Sequence, residues 1–275
     1  MIRRPPRSTP SNSSAASDVY KRQVSTQCLF DKSLSLALHK IKSLNVDFVE
    51  VVNEGYHELN RYNYKTYKEF LENNALKSTI HAPFSDINIG SLNEKMRRAS
   101  LSLLFETLEI AYEMGSLLVV IHPAHKSPLS GKFPKAYEKA QRRSLEEIDR
   151  VAERIGIRVV LENMPSFWIL DGQTPERIAE LIDGTSIGVA FDIGHLNTTT
   201  GNFDEFIELL RDRIEYVHLS DNNGTEDSHL ALGEGTVPWK EILGKMSKVP
   251  MSLEVRTFDD ALKSLKFLKG LRGNI

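Results

Sequence analysis

The chain has 275 residues, 40% of them hydrophobic, which is enough for one large domain or two small ones with a sizeable core. Its 35 Lys and Arg nearly balance its 37 Asp and Glu, which excludes an overall basic surface for nucleic acid, although a local basic patch stays open. The single cysteine, Cys28, excludes an internal disulfide framework, and no apolar run approaches the roughly 18 residues of a membrane span, so we predict a cytoplasmic protein without a membrane partner.

Residues 1–23 differ in composition from everything that follows. The segment MIRRPPRSTPSNSSAASDVYKRQ is rich in Ser, Pro and Arg and has no apolar period. Its prolines oppose the amphipathic helix of a mitochondrial presequence. Because the segment resembles translated sequencing-adapter read-through, we interpret residues 1–23 as non-native or disordered and residues 24–275 as one domain.

Beyond this segment, eight short apolar runs alternate with helical patterns. Apolar residues recur every three or four positions in 96–111 and 148–155, as on one face of a helix. Thr174, followed by a proline, predicts a helix start, and Gly115 and Gly156 predict helix ends. The eight runs predicted to be strands are residues 24–29, 48–52, 78–80, 117–121, 159–161, 187–191, 214–217 and 251–253.

Eight strand–helix units in about 250 residues match the (β/α)8 barrel in number and length. The rival fold is a doubly wound open sheet, which normally carries a glycine-rich phosphate turn after its first strand. The corresponding segment here, QCLFDKS, has no glycine. The sequence therefore predicts an α/β protein with a single (β/α)8 TIM barrel.

Six successive predicted strands, from the third to the eighth, end in His, Asp or Glu. The carboxyl ends of barrel strands form one ring, so these side chains should converge at one mouth. Carboxylates buried together are costly unless a divalent cation compensates them, which predicts one to three ions of zinc, manganese, magnesium or cobalt. With His195 shortly after the sixth strand and two residues from the loop after the seventh, the candidate ligands are His81, His122, Glu162, Asp192, His195, His218, Asp227, His229 and Glu254.

Several residues near the predicted mouth could contact a substrate. A GEG motif follows the seventh strand, where barrel phosphate sites often lie, and Arg256 could contact an anionic group. Trp239 is also a candidate, although packing or a lid role is the favoured interpretation for it and for Trp168. The candidate substrate-binding residues are His125, Arg256, Gly233, Gly235 and Trp239.

Other polar residues are predicted to lie at the surface. His39 and His57 stand outside the strand ends. The basic run at residues 95–98 most simply faces solvent at the start of a helix, where Ser91 and Glu94 could form a capping box.

The motifs IHAPFSDINIGS, VIHPAH, LENM, FDIGHLN, VHLSDNNGTEDSHLALGEG and LEVR resemble the xylose isomerase-like TIM-barrel superfamily over roughly residues 24–270. That superfamily joins sugar and sugar-phosphate isomerases and epimerases with endonuclease IV-type AP endonucleases. Resemblance to the first branch implies one divalent metal at Glu162, Asp192, His218 and Glu254. It also implies that the two glutamates move protons beside a metal-polarised carbonyl and that His195 touches a carbohydrate substrate.

Resemblance to the endonuclease IV branch implies a different use of the same side chains. There, nine residues hold three zinc ions that cleave a DNA phosphodiester, and all nine positions are matched here. However, LENMPSFW lacks the usual Ala-Gly-Gln, FDIGH replaces DTCH, and Phe84 replaces a tyrosine. The sequence thus favours a metal-dependent isomerase or epimerase of a sugar, sugar phosphate or related polyol. The alternative is a zinc-dependent AP endonuclease, followed by a non-catalytic barrel that binds a metal or sugar.

Overall fold

The computed structural model of the protein describes residues 22–246 and 248–272. Eight parallel strands close into a barrel in consecutive order, with the eighth paired to the first, which confirms the predicted (β/α)8 fold. Of the segment predicted to be non-native or disordered, residues 1–21 lie outside the described residues, and the last two begin the first strand. The strands are β1 (Arg22–Ser25), β2 (Phe48–Val52), β3 (Lys77–His81), β4 (Leu118–Ile121), β5 (Arg158–Glu162), β6 (Gly188–Asp192), β7 (Ile214–Leu219) and β8 (Met251–Leu253).

Helices surround the barrel and add short turns at its mouth. Most follow a strand and pack their apolar face on the outside of the sheet, which forms the main hydrophobic core. None of the described helices is both long enough and apolar enough to cross a membrane. The helices are α1 (Leu34–Lys42), α2 (Tyr64–Asn73), α3 (Glu94–Met114), α4 (Pro128–Lys132), α5 (Pro134–Ile155), α6 (Pro175–Ile182), α7 (Ile193–Thr198), α8 (Phe203–Leu210), α9 (Trp239–Lys245) and α10 (Phe258–Arg272).

Most of the predicted helix boundaries are confirmed, with one correction. Thr174 caps α6 by accepting a hydrogen bond from Arg177 N, and Gly115 and Gly156 end α3 and α5 with φ of 70° and 89°. The capping box expected at Ser91 is wrong, because α3 is capped by the side chain of Asn93. An asparagine two residues further along offers the same acceptor oxygen to the first turn.

The buried face of α3 also differs from the expected one. Met96 and Leu103 are exposed, whereas Leu104 and Arg97 are buried. The expectation that the whole basic run faces solvent is therefore wrong. Arg97 packs between α3 and α5, where its guanidinium pairs with Glu94 and Glu147 and donates to Ser144 Oγ at 2.8 Å. A buried guanidinium is stable only with such a set of acceptors.

Two buried residues, His57 and Cys28, lie near the first strand. His57 is fully buried, which corrects its predicted surface position, and its Nδ1 lies 3.1 Å from Thr26 Oγ1. Cys28 lies in a 3-10 turn (Thr26–Leu29) after β1, and burial raises the pKa of its thiol to about 12. His39 lies on the exposed face of α1, as predicted.

The interior of the barrel follows the two-residue period of a strand. Thr79 and His81, Tyr216 and His218, and Ser252 and Glu254 are pairs in which the first residue lies one layer below the second. Tyr216 joins the apolar interior cluster of Leu118, Val120, Val160 and Ala190. The barrel interior beneath His81, His218 and Glu254 is therefore filled by side chains.

Candidate metal centre

The nine candidate ligands meet at the carboxyl end of the barrel in three groups. In each group, one ligand atom from every member lies within 4.8 Å of the others. Glu162 belongs to two of the groups, and its Oε1 lies 3.5 Å from His195 Nδ1 of the third, so the three form a continuous cluster. The outer-strand group is His81, His122 and Glu162; the interior group is Glu162, Asp192, His218 and Glu254; the rim group is His195, Asp227 and His229.

Glu162, the last residue of β5, connects two groups through its two oxygens. Its Oε2 lies 3.1 Å from His81 Nε2 and 2.9 Å from His122 Nε2. Its Oε1 lies 2.9 Å from His218 Nδ1 on the other side. If each group bound a cation, the carboxylate could supply one oxygen to each of them.

The interior group is almost completely buried and is built from strand ends. Asp192 ends β6, His218 lies in β7, and Glu254 follows β8 directly. Asp192 Oδ2 lies 3.8 Å from His218 Nδ1, and Glu254 Oε1 lies 3.6 Å from His218 Nε2. Their positions follow from strand register, since Asp192 pairs with His218 across β6 and β7.

The rim group depends on loops and is less deeply buried. Asp227 Oδ2 lies 3.2 Å from His195 Nε2 and 3.0 Å from His229 Nε2. His195 lies in α7, while the other two are in the loop after β7. His229 adopts a left-handed backbone conformation with φ of 45°, which is uncommon for a residue other than glycine. That turn directs its ring toward the cluster.

The histidine rings are held in a manner typical of metal ligands. Nδ1 of His81 lies 2.9 Å from Ala82 O, that of His195 2.8 Å from Asn163 O, and that of His229 2.7 Å from Glu254 O. Each ring can donate an Nδ1 proton to a main-chain carbonyl, which leaves Nε2 as a lone pair facing the cluster.

Burial and mutual charge shift the pKa values within the cluster in opposite directions. Burial raises the pKa of Glu254 well above its ordinary value, and the neighbouring carboxylates of Glu50 and Glu162 raise it further. Burial also opposes the charge of Glu162, but His218 and His122 hold its pKa well below the ordinary value. Burial lowers the pKa of His122 to about 4 despite the nearby Glu162.

The donor set fits a divalent cation. Asp192 Oδ2, Asp227 Oδ1 and Glu254 Oε1 are buried oxygens with no hydrogen-bond partner among residues 22–246 and 248–272. Buried carboxylate oxygens without a partner are costly, and coordination to a cation would satisfy them. Imidazole nitrogens mixed with carboxylate oxygens suit zinc and similar first-row metals.

A pocket of about 330 Å³ opens above the cluster. Seven of the nine candidate ligands line it, all except Asp192 and His218, and His125 lines it as well. No Lys or Arg occurs among the described residues of its wall. Its apolar side is formed by Phe84, Met164, Pro165, Phe167, Ile169 and Leu170.

The structure does not bring the other predicted substrate-binding residues to this pocket. Arg256 lines a separate depression beside α1 and α10. Gly233, Gly235 and Trp239 instead pack around the buried carboxylate of Asp221: Gly233 N and Trp239 Nε1 each donate to its Oδ2 at 2.8 Å. A side chain at Gly235 would meet Asp221 Oδ1 at 2.3 Å, so this glycine serves close packing.

Sequence reasoning missed two carboxylates that support the cluster. Glu50 in β2 is fully buried, and its Oε2 lies 3.0 Å from His218 Nε2. Asp221 fixes the loop that carries Asp227 and His229. The sequence did offer a sign of Glu50, because it is an acidic residue in the middle of the apolar run FVEVV. On a barrel strand, such a residue can point into the interior.

A closed parallel barrel with a ring of ionisable side chains at its carboxyl end belongs to the class of (β/α)8-barrel enzymes. Within that class, the chain belongs to the family described as the xylose isomerase-like TIM barrel, whose family model matches residues 38–271. The resemblance seen in the motifs is thereby confirmed.

Three similar proteins illustrate the range of this family. The uncharacterized protein MJ1311 of Methanocaldococcus jannaschii is 37% identical over 90% of this chain and 87% of its own. A crystal structure of a D-tagatose 3-epimerase-like protein has 36% identity and a TM-score of 0.87, covering 92% of this chain and 97% of that one. A probable endonuclease 4 of Shouchella clausii is 27% identical over 59% of this chain and 60% of its own. These similarities support an enzyme.

Proposed function

We propose that the protein is a divalent-metal-dependent isomerase or epimerase that acts on a small sugar or related polyol. The observation that carries the proposal is the pocket: about 330 Å³, with Glu162 and Glu254 both in its wall and His195 beside them. This volume is at the small end of ligand pockets and suits a monosaccharide-sized molecule. Similarity to an epimerase-like protein at 36% identity supports the same class.

In this proposal, Glu162 and Glu254 move the proton. Both carboxylates lie within the same group, so a substrate carbon above it is within reach of either. One removes a proton from the carbon next to a carbonyl, and the other returns a proton to the same or the adjacent carbon. His195 positions a substrate hydroxyl. A divalent cation, when bound, would polarise the carbonyl and so increase the acidity of that carbon.

The apolar wall contributes by excluding water. Phe84 packs its ring against His81 and His122 at centroid distances of 5.1 and 4.8 Å, and Phe167 and Leu170 lie in the same wall. Such a wall protects a carbanion-like centre from exchange with solvent protons. It also favours a neutral substrate, since no lysine or arginine among the described wall residues faces the pocket.

The test measures proton exchange directly. Zinc- or manganese-loaded protein is incubated with a panel of ketoses and aldoses in D2O, and loss of the C–H signal next to the carbonyl is followed by NMR. We expect exchange with at least one neutral sugar and a loss of about 10²- to 10⁴-fold in Glu254→Gln. The matched control is Glu215→Gln, which alters the partner of Arg158 near the amino end of β7 and should retain full exchange. No exchange with any sugar in metal-loaded protein would contradict the proposal.

The alternative proposal is a phosphodiester hydrolase of the endonuclease IV type. One observation favours it: the ligands form three groups, including a rim group that proton transfer by two glutamates does not require. His229→Ala separates the two functions. It should abolish cleavage of an abasic-site duplex if the protein is a nuclease, but reduce sugar proton exchange less than about tenfold if it is an epimerase.

A further inference from the structure

Glu50 is a buried acidic residue that the proposed proton transfer does not use. It lies in the middle of β2, is 0% exposed, and its side chain points into the barrel. Its Oε2 lies 3.0 Å from His218 Nε2, and its Oε1 has no hydrogen-bond partner in the described part of the chain. Since burying a carboxylate without compensation is costly, its position requires a compensating role.

His218 is held differently from the other ligand histidines. His81, His195 and His229 each turn Nδ1 to a main-chain carbonyl and Nε2 to the cluster. In His218 the ring is reversed, so that Nδ1 lies 2.9 Å from Glu162 Oε1 while Nε2 points down the barrel to Glu50. His218 lies within β7, and its Nε2 faces the interior of the barrel. Its partner there is the side chain of Glu50 on β2 rather than a main-chain carbonyl.

Because the ring of His218 is reversed, its tautomer decides whether a nitrogen lone pair faces the interior group. A neutral imidazole carries one proton, and only the other nitrogen has a lone pair for a cation. If the proton were on Nδ1, it would face Glu162 Oε1, and the interior group would lose one donor. Carboxylates face both nitrogens, but when a cation takes the Nδ1 lone pair the proton lies on Nε2, where the carboxylate of Glu50 accepts it.

We propose that Glu50 is the positioning residue of His218: it accepts the Nε2 proton and thereby presents the Nδ1 lone pair to a divalent cation held with Glu162, Asp192 and Glu254. Glu254 Oε1 is the competing acceptor, but at 3.6 Å from Nε2 it is more distant than Glu50 at 3.0 Å. The inference rests on the proposed metal centre and is independent of the substrate.

The first test is a zinc affinity measurement on the full chain. The protein is stripped with a chelator and titrated with zinc by calorimetry in the presence of a competing chelator. We expect Glu50→Gln to weaken the tightest site by about 10- to 100-fold, as for other carboxylates that support a ligand histidine. The control Glu215→Gln should bind zinc as the wild type does.

A double-mutant cycle distinguishes positioning from a general structural effect. If Glu50 acts through His218, Glu50→Gln should weaken zinc binding no more than twofold in a His218→Ala background. Full additivity of the two changes would overturn the proposal. Absence of zinc binding to the wild type would overturn the metal centre itself, whereas equal affinity of wild type and Glu50→Gln would overturn only the role of Glu50.

The second test observes the tautomer. In zinc-loaded protein labelled with 15N-histidine, we expect the NMR signals of His218 to show a protonated Nε2 and a metal-bound Nδ1. A protonated Nδ1 with Nε2 bound to zinc would contradict the proposal, because Glu50 would then face a metal-bound nitrogen rather than an N–H donor.

Discussion

The interior group and the rim group offer similar ligand atoms but are positioned in opposite ways. Glu162, Asp192, His218 and Glu254 are fixed by hydrogen-bonded strands and are almost completely buried. In the rim group, the side chains of Asp227 and His229 are 24% and 13% exposed and belong to a loop. Strand register thus fixes one half of the site, whereas a separate network of hydrogen bonds fixes the other.

The difference shows where each half of the site is vulnerable. The interior group can be lost only by changing its own residues or those that touch them, because the barrel itself sets its geometry. The rim group also depends on Asp221, which lies outside the cluster. Substitutions at different residues should therefore affect the two groups differently. The expected effect is largest for Glu162, which two groups share, and smallest for Trp168, which lies outside all of them.

The largest effect is expected for Glu162→Gln, which removes charge from both the interior and the outer-strand groups. An amide supplies only one acceptor oxygen in place of the two that face His122 and His218. We expect a loss of at least one bound metal ion, measured by elemental analysis, and about a 10³-fold loss of sugar proton exchange. Retention of all metal would show that Glu162 does not connect the groups.

A smaller and more selective effect is expected for Asp221→Asn. The carboxylate of Asp221 accepts hydrogen bonds from Gly233 N, Val237 N and Trp239 Nε1. An amide repels the donors on one side, which should lower the free energy of unfolding by about 1–3 kcal/mol in urea denaturation. Metal analysis should show loss from the rim group before the interior group. Equal loss from both groups would show that Asp221 does not support the rim group selectively.

The smallest effect is expected for Trp168→Ala. Its side chain is 73% exposed beside Phe167, outside all three ligand groups. Unfolding in urea should change by less than about 0.5 kcal/mol, and the metal content should stay the same. A marked rise in KM for a sugar, with metal content unchanged, would instead identify Trp168 as part of a lid.

The fold and the convergence of the ligands were predictable because both follow from short-range patterns. Strand and helix periods gave the eight units, and the strand ends at His81, Glu162 and His218 could be read directly from where apolar runs stop. Topology did the rest, since a closed ring brings the strand ends together.

The errors arose where burial depends on partners distant in the sequence. Arg97 was expected at the surface because its side chain is charged. It is buried instead, because Ser144 and Glu147 on another helix supply hydrogen-bond acceptors. His57 is buried against Thr26 for a similar reason. The GEG glycines were interpreted as substrate contacts, although their role depends on Asp221, whose acceptor geometry no local pattern reveals, whereas Trp239 packs against Asp221 as its favoured interpretation predicted.

The buried position of Cys28 has a practical consequence. With its pKa raised to about 12, this thiol stays protonated at neutral pH and reacts slowly with maleimides, which require the thiolate. It is the sole cysteine of the chain, so a second one introduced at an exposed site would carry a fluorophore almost exclusively. Trp168→Cys would place such a dye at the barrel mouth without prior removal of the native thiol.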